Sequence, residues 1–483
     1  MIKSIQIFLV RFFPQIITGS FLVLGVLGIL HHTMWFAEMQ GWLIARSSHS
    51  FSELLFNLRY ESHPPLWYLL LFVLKQFFSN PVAMQFFHLA IASINAWLVF
   101  KYSPFSKLQK FFLVFSFFLF FEYMLIARSY TLGVLFVFLF CVLVARPQRN
   151  YLLLTLILAL LCLTSIFGLI LAVTFAVFLV LEFFETPKAQ RNYSFQIFLS
   201  VILFIAALGA SLSSMLPSQD SGYVKDLFVG HGEQRFLRTM QAAYFPNSFG
   251  LLYAWDLNQV MEILAVLLLL VSFLFFIQKR SVLFSYIFGV FGILFCSLIV
   301  NCVTPRHMGH LFILLIACWW VMYSKIPHWG NQLMKIVLLI QFILGVNAYL
   351  MDQRYIFSDG KQAAEYIRIH QLETLPILGD GQGATTVAGY LDKPIFYVRA
   401  GAWGTFQLLD NRKDSSQYTI LSSAKRLSEE LQKTTVLVLS HPLNDFVLKS
   451  FPHVQRLAIF RKGLEAPEWI YLYKYSYLVD IKQ

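Results

Sequence analysis

The sequence predicts an all-α polytopic membrane protein carrying a small C-terminal α/β soluble domain, and three observations point there. Hydrophobic residues make up 58% of the chain and charged residues 13%, about half the charged share usual in soluble domains. Mean hydropathy is +0.66, and several apolar runs reach or approach the ~20 residues that a helix needs to cross a bilayer. After about residue 350 the pattern changes, and helix-like stretches alternate with strand-like ones.

Twelve hydrophobic segments can be marked: 14–31, 64–79, 83–101, 111–127, 130–145, 151–166, 168–185, 197–215, 259–277, 282–300, 311–323 and 335–350. Basic groups at Lys3/Arg11, Lys101/Lys107/Lys110, Arg146/Arg149, Lys188/Arg191, Lys279/Arg280 and Lys325/Lys335 punctuate them. The positive-inside rule makes all six cytoplasmic. Three segments lie between Arg11 and Lys101, yet both flanks must be inside, so one of the three does not span. Segment 64–79 is short, opens on Pro64-Pro65 and contains Lys75. It reads as a juxtamembrane helix on the outer side. Eleven spans follow, with the N-terminus cytoplasmic and the C-terminus outside.

No small-residue cleavage site follows the first apolar run, which reads as a retained anchor. The five cysteines lie in or beside apolar runs, which speaks against a disulfide framework or a metal-ligand spacing. The net charge of +12 sits largely in short loops. It is read as topology charge, with membrane lipids and no nucleic acid as partners. The expected organisation is a transmembrane unit over 1–350, with outer loops near 32–84 and 216–258, and an extracytoplasmic α/β domain over 351–483. In the first loop, residues 39–59 have the pattern of a helix lying in the interface. In the tail, 360–370 and 422–431 look helical, while 376–378, 394–398, 435–439 and 469–475 look like strands.

Ionisable residues near the membrane are costly and are functional candidates for that reason. Four clusters fall on the predicted outer face. Glu38 follows the first span in Trp35-Phe36-Ala37-Glu38-Met39-Gln40-Gly41-Trp42. It could serve as a general base or hold a metal, or simply cap a helix start. His63 stands in Tyr60-Glu61-Ser62-His63-Pro64-Pro65, where the prolines fix a turn into a helix. Arg128, in Arg128-Ser129-Tyr130, is isolated between apolar runs. Its fork suits a phosphate, or it snorkels to headgroups, or it pairs with Glu122. Arg306 and His307, in Thr304-Pro305-Arg306-His307-Met308-Gly309-His310, form a second such turn, with interfacial anchoring as the plain alternative. A carboxylate, an imidazole and two arginines on one face suit a transferase whose substrate is a lipid-linked phosphate.

The order Glu38-Met39-Gln40-Gly41-Trp42-Leu43-Ile44-Ala45-Arg46, then Arg59-Tyr60-Glu61-Ser62-His63-Pro64-Pro65-Leu66-Trp67-Tyr68, then Ala127-Arg128-Ser129-Tyr130, resembles the GT-C superfamily of membrane glycosyltransferases. More narrowly it is similar to bacterial relatives of the protein mannosyltransferase and aminoarabinose transferase group. The motif resemblance covers about 10–310. It implies inverting transfer of a sugar from a polyprenyl-phosphate donor to a lipid, glycan or protein acceptor, at the outer face of a bacterial inner membrane and in the service of the cell envelope. Glu38 would be the catalytic acid, and Tyr60, His63, Arg128, Tyr130, Arg306 and His307 would bind substrate. No cofactor is assigned, although a divalent metal is a candidate. Such enzymes usually carry an Asp where Ala37 stands. Asp220, Asp226 or Asp256 in the long loop are therefore alternative acids, and an inactive relative is a further alternative. From other classes, a transporter or flippase for lipid-linked sugars, or a non-catalytic assembly protein, would use the same arginines without a base. No repeat symmetry of the transporter kind is evident.

Overall fold

The computed structural model describes residues 13–61, 63–187, 195–216, 232–300, 304–410, 416–464 and 468–477. Asp220 and Asp226 lie outside them. The chain opens with α1 (Phe13–His31), then two helices, α2 (Phe36–Ser47) and α3 (Phe51–Asn57), and the nine-residue α4 (Leu66–Leu74). At 1.5 Å per residue α4 is about 14 Å long, too short to cross, as the charge parity required. There follow α5 (Val82–Tyr102), α6 (Lys107–Val114), α7 (Tyr130–Val144), α8 (Tyr151–Cys162), α9 (Ile166–Glu185), α10 (Phe195–Met215), α11 (Gly232–Tyr244), α12 (Asn258–Phe276), α13 (Arg280–Val300), α14 (Pro305–Met322) and α15 (His328–Arg354). Among the described residues seven of these are long and apolar enough to cross a membrane: α1, α5, α9, α10, α12, α13 and α15. The protein is a multi-pass membrane protein.

Glu182 on α9 takes Arg149 (3.2 Å) and Lys279 (2.6 Å), so two of the predicted cytoplasmic basic groups meet at one end. Gln109 bonds the Asn331 carbonyl at 3.2 Å, which joins the chain beside Lys107/Lys110 to that beside Lys325/Lys335. The segment expected as one helix over 111–127 is broken. The helix α6 stops at Val114, and a π-helical turn, Phe117–Glu122, takes over after Ser116 caps it. Helix α15 crosses this break closely. A β-carbon on Gly345 would sit 2.6 Å from the Ser116 carbonyl carbon, so only glycine fits there. π turns are often found at functional sites, and this one ends on Glu122.

Beyond α15 the chain forms α16 (Gly360–Ile369), β1 (Ile377–Asp380), α17 (Gln382–Leu391), β2 (Ile395–Tyr397), β3 (Ala402–Gly404), α18 (Gln417–Leu431), β4 (Thr435–Leu439), β5 (Val454–Phe460) and β6 (Ile470–Tyr475). The sheet order is β3-β2-β1-β4-β6-β5. Strand β1 is parallel to β2 and β4, and the other pairs are antiparallel. Helices α16 and α17 cover one face through Ala363, Ile367, Ala384 and Val387, and α18 covers the other through Leu421, Ala424 and Leu427. The four predicted strands are all present. The short β3 and the edge strand β5, which carries exposed Gln455 and Arg456, were not expected.

The helix expected over 39–59 differs in two ways. Ser50 accepts the Glu53 N–H and starts a second helix, so the stretch is α2 plus α3. Nor does α2 lie open in an interface: Met39, Trp42, Ile44 and Ala45 are fully buried. It is enclosed by α4 on one side and by α17 on the other, where Met39 packs on Gly389. Packing of the sheet domain against this helix removes the solvent face that amphipathic patterning assumes.

Candidate active site

The start of α2 is where bundle and sheet domain are joined, and buried carboxylates do the joining. The first N–H groups of a helix lack partners within it. Here the Phe36 N–H bonds Glu468 from the sheet domain, and the Trp35 N–H bonds Glu38 Oε2 at 3.3 Å. Glu468 also takes the Ser358 hydroxyl at 2.5 Å and that of Thr386 at 3.1 Å. Thr33 and Ser358 exchange bonds of 3.0 and 2.8 Å.

Glu38 holds more than its own helix. Its Oε1 accepts the Ala127 N–H at 2.6 Å, which sets the backbone immediately before Arg128. Its Oε2 faces His32 Nε2 at 3.2 Å, and His32 Nδ1 meets Asp352 at the end of α15 at 2.9 Å. The three side chains tie together the ends of α1 and α15, the start of α2 and the Arg128 turn. Burial alone would lower the His32 pKa, but Asp352 and Glu38 more than reverse this and push it up to about 10. A folded-state value above the usual 6.5 means that His32 stabilises fully below that pH, and that this contribution is lost as pH rises through about 10. Roughly 3–5 kcal/mol is involved. The thermal midpoint of the wild type therefore falls between pH 6.5 and 10, and His32→Gln, less stable at neutral pH, shows a flatter profile. Equal slopes in the two proteins would remove the buried imidazolium.

Arg128 lies on the other side of the Ala127 peptide. Its guanidinium donates to the Ala37 carbonyl at 2.5 Å and reaches His63 Nε2 at 3.4 Å. His63 Nδ1 donates to the Glu61 carbonyl, which leaves Nε2 as the acceptor for the arginine. Burial first, then the Arg128 charge, push the His63 pKa down to about 4. A neutral imidazole is what that bond requires. Burial opposes the charge on Arg128, but Tyr130, Tyr68 and Glu61 outweigh it and raise its pKa.

Glu61, named in the motif but given no role above, is central. Its carboxylate accepts from Gln40 Nε2 at 2.9 Å and from the Tyr68 hydroxyl at 3.3 Å. Burial raises its pKa, and Gln40, Arg128 and Tyr68 pull it partly back. Unlike Glu38, neither of its oxygens takes a backbone N–H among the described residues. Gln40 also bonds the Gln407 carbonyl (2.7 Å) and N–H (3.1 Å), which extends the site into the sheet domain.

The second arginine faces the same region. Arg306 pairs with Glu122 at 3.4 Å and lies 4.3 Å over the Trp35 ring. Glu122 therefore serves Arg306, where the sequence had suggested Arg128. The Tyr130 ring stands 5.6 Å from His307 and 5.5 Å from His310, and His307 is within electrostatic reach of His63 and Arg128. Tyr60 is buried one residue before Glu61, with the Arg59 guanidinium 4.4 Å over its ring. Asp256, in a tight turn with φ of 54°, is exposed. Among the described residues no group of three or more His, Cys, Asp or Glu side chains is arranged to hold a metal ion. What sequence reasoning missed is the set of long-range partners. Asp352 is the first acid past the last apolar run and His32 closes the first, which is the signal that would have marked both.

No family model matches the chain, and no curated protein matches it. Among solved structures, ArnT from Cupriavidus metallidurans, crystallised with undecaprenyl phosphate, aligns over 94% of this chain and 96% of its own. The TM-score is 0.53 and the identity 11%. At that distance the likeness is one of architecture: from the helical bundle to the C-terminal sheet, this chain shares the fold of that ArnT structure.

Proposed function

We propose that the protein is an inverting glycosyltransferase that moves a sugar from a polyprenyl-phosphate donor to a membrane-associated acceptor. The observation that carries this is the convergence of Arg128 and Arg306 with His63, Tyr130 and His307 beside the buried acid Glu61. ArnT, whose fold this chain shares, was solved with undecaprenyl phosphate, and two arginine forks suit such a phosphate. In this reading Arg128 and Arg306 take the phosphate oxygens, and His63, Tyr60, Tyr130 and His307 complete the wall. The acceptor hydroxyl attacks the anomeric carbon as the bond from that carbon to the phosphate oxygen breaks. The polyprenyl phosphate leaves with the electron pair, and the hydroxyl proton passes to a carboxylate.

Glu61 is that carboxylate in our reading. Both Glu38 oxygens are committed to N–H groups and to His32, whereas Glu61 stands in the field of Arg128 and, among the described residues, takes side-chain donors. Glu38 is the rival base, and the variants below separate the two. Charge parity supports a cytoplasmic N-terminus, with the sheet domain on the opposite side of a bacterial inner membrane.

The test is turnover. Purified protein in lipid, given polyprenyl-phosphate sugars labelled in the sugar and a membrane extract as acceptor, releases polyprenyl phosphate and labels the acceptor. Movement of intact donor between leaflets without release would replace this reading by the transporter. Donor binding without release or movement would replace it by the assembly protein.

A further inference from the structure

The outer domain contains a cavity of about 620 Å³ that the transfer chemistry does not use. It lies beyond the carboxyl ends of β1 and β4. Strand β2 sits on one side of β1 and β4 on the other, with helices on both faces of the sheet. In open α/β sheets this reversal of strand order is where ligands bind. The two strand ends meet closely at its floor. Ser440 N–H bonds the Asp380 carbonyl at 3.2 Å, and its hydroxyl accepts the Gly383 N–H at 3.3 Å. Gly381 has φ of +87°, and a β-carbon there would collide with the Ser440 hydroxyl, so the turn is specified by glycine.

A second observation points to an occupant. Gln407 lines the cavity, is only 8% exposed, and its Oε1 has no hydrogen-bond partner. Leaving a buried polar atom unmatched is costly. The residue is not loose, because Gln40 holds its backbone N–H and carbonyl. The chemistry of the wall narrows the ligand. Gln382, Gln407, Gln417 and Ser440 offer donors and acceptors without charge, and Asp380 adds a carboxylate. Among the described residues the arginine of the lining, Arg399, faces Asp410 at 3.7 Å and bonds its carbonyl at 2.7 Å. A described wall whose arginine is matched by an acid, with a further carboxylate beside it, suits a neutral polyhydroxylated molecule better than a phosphate.

The position then gives it a use. The same Gln40 that grips Gln407 donates to Glu61 at 2.9 Å, so cavity and transfer centre share one fixed residue. We propose that this cavity binds a neutral saccharide unit of the acceptor, an assignment that rests on the transferase reading above.

Saturation-transfer NMR on the full chain in lipid nanodiscs tests it, with maltotriose, N-acetylated chitotriose and mannotriose as probes and inorganic phosphate as the anionic control. At least one trisaccharide receives magnetisation and phosphate does not. Gln407→Leu and Gln382→Ala each weaken that binding about tenfold, the loss of one good hydrogen bond. Gln382 is partly exposed, so that variant reports even if Gln407→Leu lowers the thermal midpoint. Binding to none of the sugars, binding unchanged in both variants, or binding of phosphate alone would overturn the inference. Donor binding is measured on the same samples. Protein that binds donor but no sugar loses this inference alone, and protein that binds sugar but no donor loses the transferase reading.

Discussion

Glu61→Gln lowers the rate of sugar transfer by roughly 10²–10⁴, the range that a positioned general base supplies, and leaves donor binding within a few-fold. The amide keeps the shape of the carboxylate, its oxygen can accept from Gln40 and its NH2 can donate to the Tyr68 hydroxyl oxygen, but it cannot take a proton. Its pH signature follows from the same environment. Burial holds the Glu61 carboxyl above its usual 4.5, with Gln40, Arg128 and Tyr68 drawing it partly down. A base works ionised, so kcat/KM falls as pH falls through that raised value, and the residual activity of the variant lacks this limb. Glu38→Gln behaves differently. It weakens the bond to the Ala127 N–H and the ion pair with His32, so its thermal midpoint drops and donor binding weakens along with turnover. The comparison is decisive in both directions. If Glu38→Gln abolishes transfer with stability and donor binding intact, while Glu61→Gln still turns over, the base is Glu38.

How far the site could be read in advance depended on whether the information was local. Arg128 and Arg306 stood out because a lone cation between apolar runs is expensive, and that expense is visible in a window of twenty residues. His63 was marked by the prolines after it. The juxtamembrane status of 64–79 followed from counting charges, and α4 is short enough to agree. The partners were not local. His32 and Asp352 are 320 residues apart, and Gln40 and Gln407 are 367 apart. No spacing rule reaches such pairs, and only the closure of the bundle and the seating of the outer domain bring them together. The pairing of Glu122 shows the cost of local reasoning. Arg128 was its neighbour in sequence, yet the π turn and the packing of α14 give it to Arg306. The burial of α2 was missed for a related reason. Phe36 and Glu38 through Ala45 are all buried, with Gln40 and Glu38 satisfied by distant groups, and hydrophobic periodicity has no way to represent a polar side chain that is buried because it is bonded.

Arg128→Ala lowers kcat/KM by about 10²–10³, the usual cost of deleting one pre-set electrostatic contact to the developing charge, and weakens donor binding with it. The guanidinium is firmly placed. Its backbone is set by the bond from Ala127 to Glu38, one edge is held by the Ala37 carbonyl, and another faces the neutral His63 ring. The carbonyl and the imidazole are dipoles, and Tyr130 and Glu61 act on the guanidinium electrostatically; in the proposed reaction it faces the phosphate while Glu61 takes the acceptor proton. Arg306 is different in kind, being paired with Glu122, and Arg306→Ala leaves that carboxylate without its cation. Its effect therefore divides between donor binding and stability, whereas that of Arg128→Ala falls mainly on the donor. Arg128→Lys restores charge without the planar fork and recovers only part of the loss. The readout that separates substrate contact from mere structure is salt. Donor binding by the wild type weakens as ionic strength rises, and Arg128→Ala flattens that dependence. Donor binding in Arg128→Ala that matches the wild type at every salt concentration would remove the phosphate from this cluster and the polyprenyl-phosphate reading with it.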